Sequence, residues 1–315
     1  LVIVTPARPG TQHGNRATAL RWAAHLRALG HRVTVQVKWD RSDFDAMIAL
    51  HARRSHDSIV AWKRAHPGRR LALVLTGTDL YRDIRTDADA RASLDLADRL
   101  VVLQAKGLDE LRAAHRAKAS VIHQSVRTPR RREPPQRYFL VTILGHLREE
   151  KDPFCTARAL ARLPEAEGLR VVHLGQAMSA DAAREARARM RADPRYRWLG
   201  GVPHARALRW LARSHAMVIS SRMEGGAHVV SEAIAIGVPV IASAIPGNAG
   251  LLGTDYPGYY PVGDERALAA LLARAQLEPA FLSALARKVK ARHALVKPAA
   301  ERRALRALLG KLQLS

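Results

Sequence analysis

The chain contains one cysteine, Cys155. An internal disulfide framework and a cysteine metal cluster are therefore excluded, and a reducing compartment, the cytoplasm, is the expectation. Aromatic residues make up only 5% of the sequence, so the cores must rest on Ala, Leu, Val and Ile. That scarcity also argues against a single-strand nucleic-acid binder, which needs aromatics interleaved with basic residues on one face. No apolar run approaches the ~20 residues of a membrane span. The opening LVIVTPA reads as a strand with no charged region ahead of an apolar one, so no signal peptide is expected. Acidic residues are also in short supply: 28 Asp and Glu face 52 Lys and Arg, a net charge of +24.

The remaining composition is that of a globular protein. Of 315 residues, 48% are hydrophobic and 25% charged, which excludes disorder, collagen and coiled coil as the overall class. At ~150 residues per domain the length suggests two domains. The positive field attracts anions: nucleic acid, an anionic membrane or phosphorylated small molecules. A compositional bias toward Arg and Ala accounts for the charge equally well. We expect small anionic substrates, no nucleic acid and no membrane span, and the sequence leaves the oligomeric state open.

Short Val/Ile/Leu runs recur at 1–4, 33–37, 46–50, 71–75, 99–103 and 120–122, and again at 138–144, 169–174, 216–219 and 238–242, mostly separated by helical segments. Buried parallel strands read as such continuous runs, and alternating βα units imply doubly wound α/β sheets. The first clear helix follows Gly14, with Ala19, Trp22, Ala23, Leu26 and Leu29 on one face and Gly30 as its stop. The stretch Arg127–Arg137, RTPRRREPPQR, holds three prolines and five arginines and reads as a linker between domains 1–126 and 138–285. The tail 286–315 is an amphipathic basic helix after Pro298, with Leu305, Leu308, Leu309 and Leu312 at helical spacing. It reads as packing back on the body of the molecule rather than lying on a membrane.

The most informative stretch is SSRMEGGAHVVSEAIAIGVPVIAS, from Ser220. A strand runs into a loop carrying Glu224, Gly225 and Gly226, and a helix and a second strand follow. Glycines permit close approach of backbone to a ligand. The helix N-terminus behind them offers N–H groups suited to a pyrophosphate. Glu232, about two turns into that helix, is placed to accept two hydrogen bonds from a ribose diol. The block resembles the E-x7-E motif of family-4 glycosyltransferases, with Glu224 and Glu232 as its acids.

A second segment, GHLREEKDP from Gly145, is similar to the Gly-Arg-Leu…Lys-Gly pattern whose Arg and Lys hold the donor diphosphate in that family. Lys151 matches the Lys. The Arg position is His146, which leaves Arg148, or His146 when protonated, to supply the missing charge. Gly175 and Gly200-Gly201-Val202 end two further strands, where backbone groups can read a uracil ring. In the N-terminal half, Gly14-Asn15-Arg16-Ala17-Thr18, His51-Ala52-Arg53-Arg54-Ser55 and Thr76-Gly77-Thr78-Asp79 all sit at strand ends and form a candidate acceptor site. Asp79 also has the placement of a cap for the following turn. Asp43-Phe44-Asp45 and Asp87-Ala88-Asp89 spell D-x-D, but neither lies beside a glycine-rich loop, and no metal and no cofactor are expected.

Nearly the whole chain carries further segments in order: HGNRATALRWAAHLRALGHRV, ALHARRSHDSI, LTGTDLYRD, ADRLVVLQ, RYRWLGGVPH and IPGNAGLLGTDYPGYYPVGD. Together they resemble the selenosugar synthases of bacterial selenoneine biosynthesis. The resemblance covers roughly residues 1–270, and His146 marks that subgroup. It implies a GT-B architecture, two Rossmann-like doubly wound domains facing across a cleft. It implies a metal-independent reaction in which a UDP-sugar, UDP-N-acetylglucosamine or UDP-glucose, and selenophosphate form a 1-selenosugar, UDP and phosphate. The donor residues would be His146, Arg148, Lys151, Gly175, Gly201, Val202, Glu224, Gly225, Gly226 and Glu232. The acceptor residues would be Gly14, Asn15, Arg16, Thr18, His51, Arg53, Gly77 and Thr78. His51, Asp79, Lys151 and Glu224 would be catalytic, with Asp79 set back and orienting a water. The alternative is a hexosyltransferase acting on a lipid or sugar acceptor. The preferred sugar and the anomeric outcome stay open.

Overall fold

The structure, a computed structural model, describes residues 1–10, 14–163, 166 and 168–314. It divides into two compact units. The first holds Leu1–Ser125, the segment Glu224–His228 and the C-terminal stretch from Lys297; the second holds Val126–Met223 and Val229–Val296.

The first unit is built on β1 (Val2–Val4), β2 (Thr34–Gln36), β3 (Ala46–Leu50), β4 (Arg70–Leu75), β5 (Arg99–Val102) and β6 (Ala119–Val121), all parallel, in the order β2-β1-β3-β4-β5-β6. Successive side chains leave opposite faces of a strand, and the two faces build two cores. Ile3, Ile48, Leu50, Ala72, Val74 and Val101 pack with Trp22 and Leu26 of the helix Gly14–Arg27. Val2, Val4, Met47, Leu71, Leu73 and Leu75 pack on the other side with Ile59, Trp62 and Leu80. The first helix ends in a left-handed turn at Gly30, φ +98°, where His31 N–H returns to the Leu26 carbonyl. Leu305, Leu308, Leu309 and Leu312 of the last helix, Pro298–Lys311, lie inside the Trp22 core. That apolar stripe is therefore interior.

The second unit is built on β7 (Phe139–Leu144), β8 (Leu169–Leu174), β9 (Tyr196–Trp198), β10 (Ala216–Ile219), β11 (Val240–Ser243) and β12 (Tyr259–Tyr260), again all parallel, in the order β12-β11-β10-β7-β8-β9. Strand order reverses between β7 and β10. β9 and β12 are absent from the apolar runs of the sequence, because Tyr-Arg-Trp and Tyr-Tyr are too short and too polar to form one. The run expected from 238 pairs only from Val240. Pro239 has no N–H, and its carbonyl accepts from the Met217 N–H at 2.8 Å. The Pro- and Arg-rich stretch clusters with this unit, where Arg131 Nη1 and the Arg132 N–H both donate to the Ala212 carbonyl. Among the described residues no single helix is long and apolar enough to cross a membrane. One pair, Glu265–Leu277 with Pro279–Ala291, passes by length and composition together but is bent by 102°.

Candidate functional site

In open α/β sheets, ligands bind beyond the carboxyl ends of strands where the strand order reverses. In the second unit that point lies between β7 and β10, and the two motif loops leave these two strands. After β7 the chain turns at Gly145 and makes a short 3-10 turn, Glu149–Lys151. After β10 comes Ser220, whose hydroxyl donates to the carbonyls of Lys151 (3.0 Å) and Asp152 (2.9 Å). Arg222 N–H donates to the Glu150 carbonyl at 2.8 Å. Ser243 Oγ, at the end of β11, donates to the Ser221 carbonyl, and Asn248 Nδ2 donates to the Ser243 carbonyl. The backbone of the Lys151 loop is thus tied to its neighbour on β10. Asp152 holds a left-handed φ of +39° there, with its carboxylate paired to Arg158 at 2.9 Å.

The β8 side is equally constrained. A Cβ at Gly175 would overlap the Gly145 carbonyl oxygen, so the two strand ends meet only because residue 175 has no side chain. The Gly175 N–H donates to the Gly200 carbonyl, and its own carbonyl accepts from Trp198 Nε1 at 2.8 Å. His173 is fully buried, and burial depresses its pKa to about 4, so the ring is neutral. Its Nε2 faces the Gly145 carbonyl at 3.0 Å and must carry the hydrogen; Nδ1 then accepts from the Tyr196 hydroxyl at 2.8 Å. His146 is turned the same way: its Nδ1 accepts from the Gln176 N–H at 3.1 Å. A nitrogen that accepts a hydrogen bond bears no proton, so this contact does not use the imidazolium form of His146, which with Arg148 is one of two candidates for the missing charge. Arg148 is exposed, with Nε 4.0 Å from Glu150. Gly201 and Val202 continue from β9 into Pro203 and the helix His204–Ala212.

Glu232 lies inside the helix His228–Ile236, with its side chain 3% exposed. Oε1 accepts from His204 Nε2 at 2.6 Å. That bond raises the His204 pKa, against an opposing effect of burial.

Glu224, Gly225 and Gly226 group with the first unit. The Cβ atoms these glycines lack make room for protein backbone: a side chain at 225 would overlap the Thr76 carbonyl, and one at 226 would run into Leu103.

In the first unit β3 and β4 end side by side, and Asp79 links them. It is fully buried, and its carboxylate accepts from the N–H groups of Ala52 (3.0 Å), Thr76 (2.9 Å) and Gly77 (2.8 Å). This corrects two expectations. Asp79 caps backward rather than into the following turn. Its oxygens are also spent on backbone, so it shapes the loops instead of orienting a water. The Gly77 N–H is likewise committed to Asp79.

His51 is buried with φ +76°, a costly conformation for a non-glycine residue. Its Nδ1 accepts from the Arg54 N–H at 3.4 Å, so Nε2 holds the hydrogen and donates to Thr78 Oγ1 at 3.1 Å. Burial lowers the His51 pKa, which keeps this neutral form. Arg53 pairs with the buried Asp83 at 3.3 Å. Asp83 was missed by the sequence reading, although its spacing of four from Asp79 puts both on one helical face. Thr18 is corrected too: it is buried, donates to the Gly14 carbonyl and accepts from Gln124 Nε2 at 2.7 Å, a packing role. Gly14, Asn15 and Arg16 form the first turn of the first helix, where N–H groups lack intrahelical acceptors. Arg16 Nη1 is buried without a hydrogen-bond partner among the described residues.

The D-x-D segments have ordinary jobs: Asp43 pairs with Arg69, and Asp87 caps the helix Ala88–Leu96 through the Ala90 N–H. Among the described residues no group of three or more His, Cys, Asp or Glu side chains is arranged to hold a metal ion.

The family model "Glycosyl transferases group 1" matches residues 126–295. The chain is 26% identical over 268 residues to glycosyltransferase 1 domain-containing protein 1 of Xenopus tropicalis, covering 76% of this chain and 77% of that relative. Its fold is similar to sucrose-phosphate synthase of Thermosynechococcus elongatus (TM-score 0.79, 17% identity, 99% of this chain and 98% of that one). It is also similar to Anabaena HepE in complex with UDP-glucose (TM-score 0.77, 15% identity, 98% and 99%). The two parallel-sheet Rossmann-like units are those of the GT-B class.

Proposed function

This chain belongs to the group 1 glycosyl transferases, and we propose that it transfers the sugar of UDP-N-acetylglucosamine or UDP-glucose to selenophosphate. The observation that carries the donor half is the placement of GHLREEKDP and SSRMEGGAHVVSEA on adjacent strands at the reversal of strand order, with Glu232 buried in the helix that follows. Similarity in fold to a UDP-glucose complex supports the same donor class. The acceptor half is supported by the segment resemblance and by Arg16, a guanidinium at a helix N-terminus with a buried nitrogen that has no hydrogen-bond partner among the described residues.

In this reading Glu232 accepts the ribose hydroxyls, Gly201 and Val202 flank the base, and Glu224 and His51 act at the donor sugar. Selenium attacks the anomeric carbon. A carbon–selenium bond forms as the carbon–oxygen bond to the diphosphate breaks, and UDP leaves with the electron pair. Water then cleaves selenium from phosphorus, giving phosphate and the 1-selenosugar. Selenium is already a strong nucleophile, so the protein's work is positioning and stabilising charge on the leaving diphosphate. Lys151, Arg148 and the N-terminal N–H groups of the helix His228–Ile236 serve that charge.

The test is mass spectrometry of products formed from either UDP-sugar and selenophosphate. A 1-selenosugar appearing with UDP supports the reading. Transfer to sugar or lipid acceptors, with no selenium product, would overturn it in favour of a hexosyltransferase.

A further inference from the structure

We propose that His204 is a positioning residue for the nucleotide: it holds the Glu232 carboxylate in the orientation that receives the ribose hydroxyls. The inference rests on the donor reading above and adds to it a residue outside both motif loops. His204 opens the helix His204–Ala212, directly after the Gly201-Val202-Pro203 turn. It therefore connects the segment assigned to the base with the carboxylate assigned to the ribose.

The pair is asymmetric. The Glu232 side chain is 3% exposed and that of His204 is 65% exposed. A solvated surface pair would expose both members. The Glu232 side chain is almost wholly removed from water, and burying a carboxylate costs several kcal/mol unless it is partnered. Packing alone would be better served there by an apolar residue. At 2.6 Å the bond has the length of a charge-assisted one. A carboxylate has about four acceptor positions, so a single imidazole N–H on Oε1 can orient the group by taking one of them.

The charge of the pair matters as well. The charged group acting on His204 is Glu232, from the helix His228–Ile236; it favours the imidazolium, and burial disfavours it. With the imidazolium present the pair is neutral. When the proton is lost the pair carries a net negative charge and repels an anionic nucleotide.

The test is calorimetric titration of the intact protein with UDP at about pH 6 and about pH 8.5, either side of the histidine range. Wild type is expected to bind about threefold or more tighter at the lower pH, the scale of a modest electrostatic coupling. His204→Ala should bind about tenfold more weakly at pH 6 and lose the pH dependence, as expected for a lost charge-assisted hydrogen bond. His204→Gln, a neutral donor, should recover most of the affinity but remain independent of pH. Alanine and wild-type proteins with equal affinities and equal pH profiles would overturn the proposal, as would a glutamine variant no better than alanine. The imidazole resonance of His204, titrated by NMR without nucleotide, should lie above the ordinary histidine value and fall in Glu232→Gln. Failure of wild type to bind UDP at all would remove the donor reading and this inference together. Normal binding with no effect of the His204 variants would remove this inference alone.

Discussion

Trp22 Nε1 donates a 2.8 Å hydrogen bond to Oε1 of Glu301, joining the first helix of the chain to the last. Glu301 is buried, and it also accepts from Arg21 Nε at 3.0 Å and from the Ser125 N–H at 3.0 Å. Burial alone would raise its pKa. Hydrogen bonds from His25 and Ser125 and the charge of Arg21 outweigh burial and bring it to about 2, from an ordinary 4.5.

Glu301→Gln should therefore destabilise the first unit by about 3 kcal/mol at neutral pH, the scale set by so depressed a carboxyl pKa. The folded-state pKa is depressed, so this stabilisation is complete above about pH 4.5 and is lost as pH falls toward 2. Urea unfolding followed by tryptophan fluorescence should show the gap between wild type and variant shrinking by more than half between about pH 7 and about pH 3. A gap that does not change with pH would show that the carboxylate's charge is not what holds the two helices.

Asp79→Ala leaves the N–H groups of Ala52, Thr76 and Gly77 without their acceptor in a buried setting. We expect a loss of about 3 kcal/mol in stability, since each unsatisfied buried group costs about 1–3 kcal/mol before relaxation. The strained His51 backbone lies beside this clasp, so turnover should fall as well. A variant with wild-type melting temperature would contradict the role given to Asp79.

Gly175→Ala places a methyl group on the Gly145 carbonyl oxygen. The β7 loop carrying Lys151 must shift, at about 3 kcal/mol or more. Weaker UDP binding together with a lower melting temperature is the expected result. Gly14→Ala, where none of the described residues has an atom within 4 Å of the added methyl beyond the chain neighbours and the helix's own backbone, is the control that should leave stability nearly unchanged.

Arg16 and Arg53 differ in what already occupies them. Arg53 is paired with the buried Asp83, whereas Arg16 Nη1 has no partner among the described residues. Arg16→Ala should raise the KM for selenophosphate about tenfold, the scale of a lost charged hydrogen bond. Arg53→Ala should act mainly on stability. Steady-state kinetics with UDP-sugar saturating would separate the two, and equal KM effects would contradict the distinction.

Much of this was readable along the chain. The runs at 46–50, 71–75 and 138–144 are strands because a parallel strand buried on both faces needs a continuous apolar run. The motif loops follow such runs, so their place at strand ends was readable too. β9 and β12 were not, because three and two residues are below the length at which periodicity carries a signal.

Residue identity and local spacing thus settled most of the strands, the loops that carry Lys151 and Glu224, and the helix that carries Glu232. How each polar group spends its hydrogen-bonding capacity was decided only by tertiary structure. Asp79 looks like a free carboxylate in GTDLYRD, yet the fold brings it the N–H of Ala52 from another strand end. His146 stands where an arginine was expected, yet it faces Gln176 on the neighbouring loop. Glu232 and His204 are 28 residues apart on separate helices, and no pattern links them before folding. A side chain's chemistry depends on the donors and acceptors within about 3 Å of it, and in a doubly wound sheet those come from loops that are distant in sequence.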